Sequence, residues 1–310
     1  MIALLMIIYQ WALTIFDLVH FVFLVGWLYL VAIFRLFVPN QKKSLSGQVA
    51  MVTGAGHGIG KELALQLSRL GVKVVCCDIN EAWNQNTVEA IKAEAGVAWG
   101  YKCDVSSASC VHDVSSMIRK EVGDIDILIN NAGIMPCKSF LQHSAQDVEK
   151  LFAINVMSHF HTLREWLPVF MSRGDGHIVA LSSIAGLMGT SNLVPYCATK
   201  HAIRGLMEGL KEELRFDNRY PGIKLTTVHP FVVETGLAKS YRIRFPLFNP
   251  VTTPADAASI IIDGIQREHY VVSIPKKDFY FLKLFSVLPL SIQHALSDLL
   301  EAEVDEETDS

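Results

Sequence analysis

Residues 48–60, QVAMVTGAGHGIG, limit what the chain can fold into more than any other stretch. An apolar, β-branched run leads directly into glycines at 54, 58 and 60, and the amphipathic segment KELALQLSRL follows. Strand, tight turn and helix start in that order let the backbone approach a ligand closely and aim helix N–H groups at it, which suits a pyrophosphate. The same alternation continues downstream. VKVVCC (72–77), AWGYKC (98–103), IDILIN (125–130), HIVALS (177–182), IKLTTV (223–228) and YVVSI (270–274) read as buried strands with helical stretches between them. That pattern predicts an α/β fold, a Rossmann-type doubly wound parallel sheet with helices on both faces. No internal repeat and no long linker divides residues 46–275, so one domain is expected there.

Within the loop, Gly54, Gly58, Ile59 and Gly60 are the candidate pyrophosphate contacts. Asp78 ends the second strand, 24 residues beyond Gly54. Its carboxylate can accept from the two ribose hydroxyls of an adenosine and repels a 2′-phosphate, which favours NAD over NADP. A protonated His57 beside a 2′-phosphate weakens that preference.

Further along, Ser183, Tyr196 and Lys200 lie in LSSIAGLMGTSNLVPYCATK (181–200). Tyr196 and Lys200 are four apart and share a helix face, where an ammonium near a phenol stabilises the phenolate and brings down a pKa that starts near 10. A tyrosine tuned in this way can serve as a general acid or base. Ser183, at the end of a strand, can donate to a substrate oxygen as charge develops on it.

At these positions the sequence resembles the short-chain dehydrogenase/reductase family over roughly 46–275. The resemblance rests on TGAGHGIG (53–60), CDV (103–105), NNAG (130–133), Asn155 in AINVMSHF, Ser183, and YCATK (196–200). It implies that Asp104 and Val105 lie near the adenine and that Asn131, Ala132 and Gly133 pack beside the cofactor. It further implies that Asn155 holds a water in a proton relay with Lys200, that Lys200 binds the nicotinamide ribose, and that Tyr196 exchanges the substrate proton. After the sixth strand the family usually has Pro-Gly ahead of a threonine that binds the nicotinamide. Here the run is HPFVVETG (229–236), which keeps Pro230 and Thr235 and places Phe231 where the glycine is expected. Together with the apolar N-terminus, this is similar to the membrane-associated branch that includes 17-beta-hydroxysteroid dehydrogenases types 11 and 13 and the epidermal retinol dehydrogenases. Membership there implies the endoplasmic reticulum membrane or a lipid-droplet surface, a lipophilic alcohol or carbonyl substrate, and a homo-oligomer. The family also implies a lid over the substrate at 236–253, whose mix of Tyr, Phe, Leu and Arg suits an apolar alcohol.

The ends of the chain differ from this domain. Residues 1–38 contain only Asp17 and Arg35 as full charges, and 18–38 is long enough to cross about 30 Å of hydrocarbon as a helix. No Lys or Arg precedes the run and no small-residue cleavage site follows it, so a retained anchor over 1–40 is expected rather than a signal peptide. Arg35, Lys42 and Lys43 follow the run and place the downstream domain in the cytosol. A single tilted span and a hairpin bent near Asp17 and His20 both fit. Residues 276–300 read as an amphipathic segment on a membrane or a partner subunit, with core packing as the alternative. The tail 301–310 holds six acids and no base and reads as a disordered, solvating end.

The formal net charge is −4, and without the six acids of that tail it is about +2. A near-neutral body argues against a nucleic-acid surface, which needs clustered Lys and Arg. The six cysteines show no zinc-binding spacing, so neither a metal nor disulfides are expected. The expectation that results is a membrane-anchored oxidoreductase moving hydride between NAD and a retinoid, steroid or related lipid. The alternatives are an NADPH-dependent lipid carbonyl reductase and a catalytically silent NAD-binding scaffold.

Overall fold

The computed structural model describes residues 2–38, 40–217, 219–237, 241–244, 251–276, 278–300 and 302–304. The chain divides into two compact units, residues 1–42 and 43–310.

The first unit is one helix, α1 (Ile2–Phe37), of 36 residues. At 1.5 Å per residue it extends about 54 Å, and Ile2–Arg35 is long and apolar enough to cross a membrane. It runs without a break through Asp17 and His20. No proline occurs before Pro39 to interrupt the backbone ladder. Arg35 Nη1 donates to Asn40 Oδ1 at 2.8 Å just beyond the last turn.

The second unit alternates strand and helix: β1 (Val49–Thr53), α2 (Gly58–Arg69), β2 (Lys73–Asp78), α3 (Glu81–Ala93), β3 (Ala98–Lys102), α4 (Ala108–Glu121) and β4 (Ile127–Asn130). Next come α5 (Ala145–Phe152), α6 (Ser158–Arg173), β5 (Asp175–Leu181), α7 (Val194–Phe216), β6 (Gly222–Pro230), β7 (Tyr241–Ile243), α8 (Pro254–Gln266) and β8 (Val271–Ile274). Two helices and a short strand finish the unit, α9 (Asp278–Phe285), α10 (Leu290–Leu300) and β9 (Ala302–Val304). Asn80, Ser107, Ser144 and Thr253 each cap a helix by accepting the backbone N–H three residues on.

Seven strands form one parallel sheet in the order β3-β2-β1-β4-β5-β6-β8, with Val52 opposite Cys76 on one side and Ile129 on the other. Winding reverses between β1 and β4, so a crevice opens beyond their C-terminal ends. Each strand side packs its own core. Ala50 and Val52 of β1 meet α2, α3 and α8 through Leu63, Leu67, Ile91 and Ile261, whereas Val49 and Met51 meet α4, α6 and α7 through Ile118, Trp166 and Met207.

Residues 276–300 contain two helices, parted at Pro289, which disfavours helical backbone at the residue before it. In that segment α9 buries Phe279, Leu282 and Phe285, while Tyr280, Phe281, Leu284, Val287 and Leu290 are exposed. The acidic tail is not wholly free, since β9 pairs antiparallel with β7 and sets Glu303 opposite Arg242. Residues 301 and 305–310 lie outside the described residues.

Candidate active site

The glycine loop leaves β1 through Gly54, at φ +67°, and enters α2 at Gly58, at φ +57°. A Cβ on Gly60 would run into the Gly54 carbonyl and the Asn131 amide, so only glycine permits this closeness. Thr53, which the sequence reading did not single out, ties the two crevice loops together. Its Oγ1 accepts from Asn131 N at 3.0 Å and Ala132 N at 3.1 Å, while Asn131 Nδ2 donates to the Thr53 and Gly54 carbonyls at 2.9 and 3.2 Å. Asp78 closes the far end, accepting Gly56 N and Asn80 N, both at 2.8 Å.

Asp104 Oδ1 accepts from Ser106 N and Oγ, and the Val105 carbonyl meets His161 Nδ1 at 3.1 Å, which fixes the turn after β3. Thr235 reaches the loop from the other side: a Cβ on Gly58 would stand 3.1 Å from its Cγ2. Phe231 takes no positive φ, and its N–H donates to the Ile274 carbonyl at 2.8 Å. Phenylalanine therefore fits this position without backbone strain.

Ser183 follows β5 and caps a tight turn over Ile184–Gly186, its Oγ accepting Ala185 N at 3.1 Å and donating to the Pro230 carbonyl at 3.4 Å. Tyr196 and Lys200 sit in the first turns of α7, which begins at Val194 with Pro195 at its start. Tyr196 is half-buried and hydrogen-bonded to Ser183. Lys200 is buried and donates from Nζ to the Leu181 carbonyl at 2.9 Å, 5.5 Å from the centre of the Tyr196 ring. Ser182 Oγ returns a bond to the Lys200 carbonyl at 2.9 Å.

Asn155 lies in a π-helical turn, Ala153–Met157, between α5 and α6. Its side chain is fully engaged: Nδ2 donates to the Ile134 carbonyl and to Thr199 Oγ1, and Oδ1 accepts Ile134 N. This pins the loop after β4 to α7. A Cβ on Gly133 would stand 3.3 Å from Asn155 Oδ1 and 3.7 Å from Lys200 Nζ. Gly133, Asn155 and Lys200 are thereby brought together.

The electrostatics correct one expectation. Burial pushes the Tyr196 phenol up to about 12, and its bond to Ser183 offsets only part of that. Burial also brings Lys200 down to about 8. Helical spacing does put the ammonium near the phenol, but desolvation of both groups outweighs the tuning that spacing alone implied.

Loop, carboxylate and the Ser183, Tyr196 and Lys200 set fit a nicotinamide dinucleotide, and the comparisons agree. Residues 48–244 match the short chain dehydrogenase family. The chain belongs to the short-chain dehydrogenase/reductase family. It is 38% identical over 264 residues to epidermal retinol dehydrogenase 2 of Homo sapiens, covering 85% of each chain. With 17-beta-hydroxysteroid dehydrogenase 13 of Homo sapiens it shares 32% identity over 261 residues, 84% of this chain and 86% of the relative. A short chain dehydrogenase/reductase from Burkholderia phymatum in complex with NAD superposes with a TM-score of 0.71 at 25% identity, covering 86% of this chain and 99% of that one. A metagenomic short-chain oxidoreductase in complex with NADP gives 0.62 at 26% identity, covering 74% and 96%. The chain is thus an NAD(P)-dependent oxidoreductase acting on CH–OH groups.

Among the described residues no cluster of His, Cys, Asp or Glu could hold a metal ion. Of the lid expected over 236–253, residues 238–240 and 245–250 lie outside the described residues.

Proposed function

We propose that the chain is a membrane-anchored, NAD-dependent oxidoreductase that interconverts a lipophilic alcohol and its carbonyl, with a retinoid, a steroid or a related lipid as substrate. The observation that carries this reading is the convergence of Ser183, Tyr196 and buried Lys200 at the mouth of the glycine-loop crevice. The wall beside Tyr196 is apolar, formed by Met135, Cys137, Ala185, Leu193 and Cys197. A neutral, water-poor alcohol suits such a wall, and a charged substrate does not. The long apolar α1 and the exposed apolar residues of α9 support placement at the endoplasmic reticulum or a lipid droplet, with the catalytic unit in the cytosol.

The bound nicotinamide supplies the hydride acceptor or donor. Gly54, Gly58, Ile59, Gly60, Asp78, Asp104, Val105, Asn131, Ala132, Gly133, Tyr196, Lys200, Pro230 and Thr235 would hold the cofactor, and Asp78 would favour NAD by repelling a 2′-phosphate. In the oxidation direction Tyr196 Oη takes the hydroxyl proton, Ser183 Oγ–H holds the substrate oxygen, and Lys200 lends positive charge. In reduction the proton returns from Tyr196 to the new alkoxide. Asn155 holds the β4 loop against α7 so that Gly133 stays beside Lys200.

The test is NAD reduction at 340 nm by the full-length, detergent-solubilised chain with retinol, steroid alcohols and long-chain alcohols. Turnover with one class, falling about 10²- to 10⁴-fold in Tyr196→Phe with the NAD-induced thermal shift retained, is the expected result. NAD binding without turnover on any alcohol overturns it in favour of a silent scaffold.

A further inference from the structure

His229 lies at the end of β6, where it is buried. Backbone pairing between β5 and β6 stops just before the catalytic serine, with Ser182 N donating to the Val228 carbonyl at 2.9 Å. One position further, a side chain takes over: His229 Nδ1 lies 3.1 Å from the Ser183 carbonyl oxygen. A carbonyl can only accept, so Nδ1 carries the proton and the tautomer is assigned. The second lone pair of that carbonyl takes Gly186 N at 2.9 Å, so the Ser183 carbonyl is held from two sides.

The ring has a backing of its own. Phe279, in the first turn of α9, lies 5.3 Å from it centre to centre, and Phe279 N donates to Ser273 Oγ of β8 at 3.2 Å. On its outer side His229 borders a cavity of about 370 Å³ lined by both signs of charge, Arg204, Lys211 and Lys283 with Glu208 and Glu212. Burial brings the imidazole down to about 4, the bond to Ser183 and the Glu208 carboxylate opposing it and Arg204 and Lys283 adding to it, so the ring is neutral at physiological pH.

We propose that His229 is a positioning residue for the catalytic serine, its Nδ1–H gripping the Ser183 carbonyl and its ring held in place by Phe279, so that Ser183 Oγ is aimed at Tyr196 and the substrate oxygen. The inference rests on the role given to Ser183 under the proposed function. It makes the C-terminal segment part of the catalytic apparatus through the Phe279 ring. A histidine is suited to the task because it reaches across from β6 with a donor on a rigid ring, where a backbone N–H would need the strand to continue.

The experiment compares His229→Leu, which removes the donor, with His229→Asn, whose Nδ2 falls where histidine Nδ1 was. Both are made in the full-length solubilised chain. The expected result for His229→Leu is a ten- to hundredfold fall in kcat with KM and the NAD dissociation constant within twofold of the parent. His229→Asn should return to within about threefold. The pH profile supplies a readout that a purely structural role would not move. Ser183 holds the Tyr196 phenol lower than burial alone would, so losing its placement should carry the rising limb of kcat to higher pH. Phe279→Ala should shift both quantities the same way by a smaller factor.

His229→Leu retaining kcat within threefold, or His229→Asn failing as badly as His229→Leu while melting at the parent temperature, overturns the proposal. Should the parent turn over no alcohol at all, the functional reading has failed, and amide hydrogen exchange at Ala185 and Gly186 decides this one separately. Exchange tenfold faster in His229→Leu and restored in His229→Asn supports the grip, and unchanged exchange refutes it.

Discussion

Around β1 and β4 the site is made by leaving atoms out, whereas around β5, β6 and α7 it is made by burying polar ones. The cofactor side depends on Gly54, Gly58 and Gly60, with Thr53 and Asn131 tying one loop to the other through short neutral bonds. No buried Lys or His belongs to it. The catalytic side buries Lys200, His159, His177 and His229 and satisfies several of them with main-chain carbonyls or hydroxyls. One side is constrained by shape and the other by charge, so substitution and pH should damage them differently.

The sharpest contrast comes from one substitution on each side. Gly60→Val forces a branched side chain into the Gly54 carbonyl and the Asn131 amide, neither of which can move without opening the loop. NAD-induced thermal stabilisation should vanish, and turnover with it. Tyr196→Phe should instead leave the cofactor shift in place while turnover falls about 10²- to 10⁴-fold. Differential scanning fluorimetry with and without NAD, beside a 340 nm assay, separates the two. A Gly60→Val protein that still binds NAD would sink the description of the cofactor side.

Acid should attack the catalytic side first. Burial brings His159 and His177 down to about 3 and His229 to about 4, against about 6.5 in an unfolded chain. Below pH 6.5 the unfolded chain takes up protons that these neutral, buried rings refuse, so the stability they contribute is present above pH 6.5 and lost as pH falls toward 4. At pH 5.5 each ring accounts for about 1.4 kcal/mol, about 4 kcal/mol for the three. Thermal melts at pH 7.5, 6.5 and 5.5, with hydrogen exchange to locate the opening, check this. Equal melting temperatures, or first opening at β1 to β3, would break the comparison.

The same division decides what could be read from the sequence. Strands such as β1 and β4 were legible because they are buried on both faces and read as apolar runs, the edge strand β3 less so because it exposes Gly100 and Lys102, and the glycine loop because an omitted side chain is visible in the letters. Tyr196 and Lys200 were legible as spacing, but the environment that outweighs their mutual tuning was not. Thr53 and His229 escaped notice because their partners are main-chain atoms far along the chain, as Ser183 is from His229, and Thr199 because it meets the Asn155 amide 44 positions away. For His229 a signal was nonetheless present: a polar ring ending an otherwise buried strand run, one residue before Pro230. The pairing of β7 with β9 joins two three-residue segments about sixty positions apart, and neither has a pattern long enough to announce a strand.

A smaller effect tests Asp78, which belongs to the cofactor side yet works by charge. Asp78→Asn keeps an acceptor for only one of the two backbone N–H groups, Gly56 N on Oδ2 and Asn80 N on Oδ1, and removes the repulsion of a 2′-phosphate. The ratio of NAD to NADP affinity should move toward NADP by about tenfold, equivalent to about 1.4 kcal/mol. Titration of both cofactors by fluorescence measures it, and an unchanged ratio would remove Asp78 from cofactor selection.

Lys200 gives the smallest shift in stability and the most direct statement of what the catalytic side is for. Its pKa falls from 10.5 to about 8 because burial disfavours the ammonium, so below pH 8 the folded chain carries a charge it would be more stable without. Between pH 8 and 10.5 the unfolded chain holds the extra proton, and stability should rise with pH over that window, by about 3 kcal/mol at most. Lys200→Met removes the buried charge but leaves the Leu181 carbonyl without its donor, a loss of about 1–3 kcal/mol. The two nearly cancel, so at pH 7 the variant should melt at the parent temperature or a few degrees above it, while turnover falls by at least the Tyr196→Phe factor. The rise in stability between pH 8 and 10.5 should also disappear. A variant that melts far below the parent would mean that Lys200 holds the fold together, whereas unchanged or higher stability with lost turnover would mean that the buried charge is kept for chemistry alone.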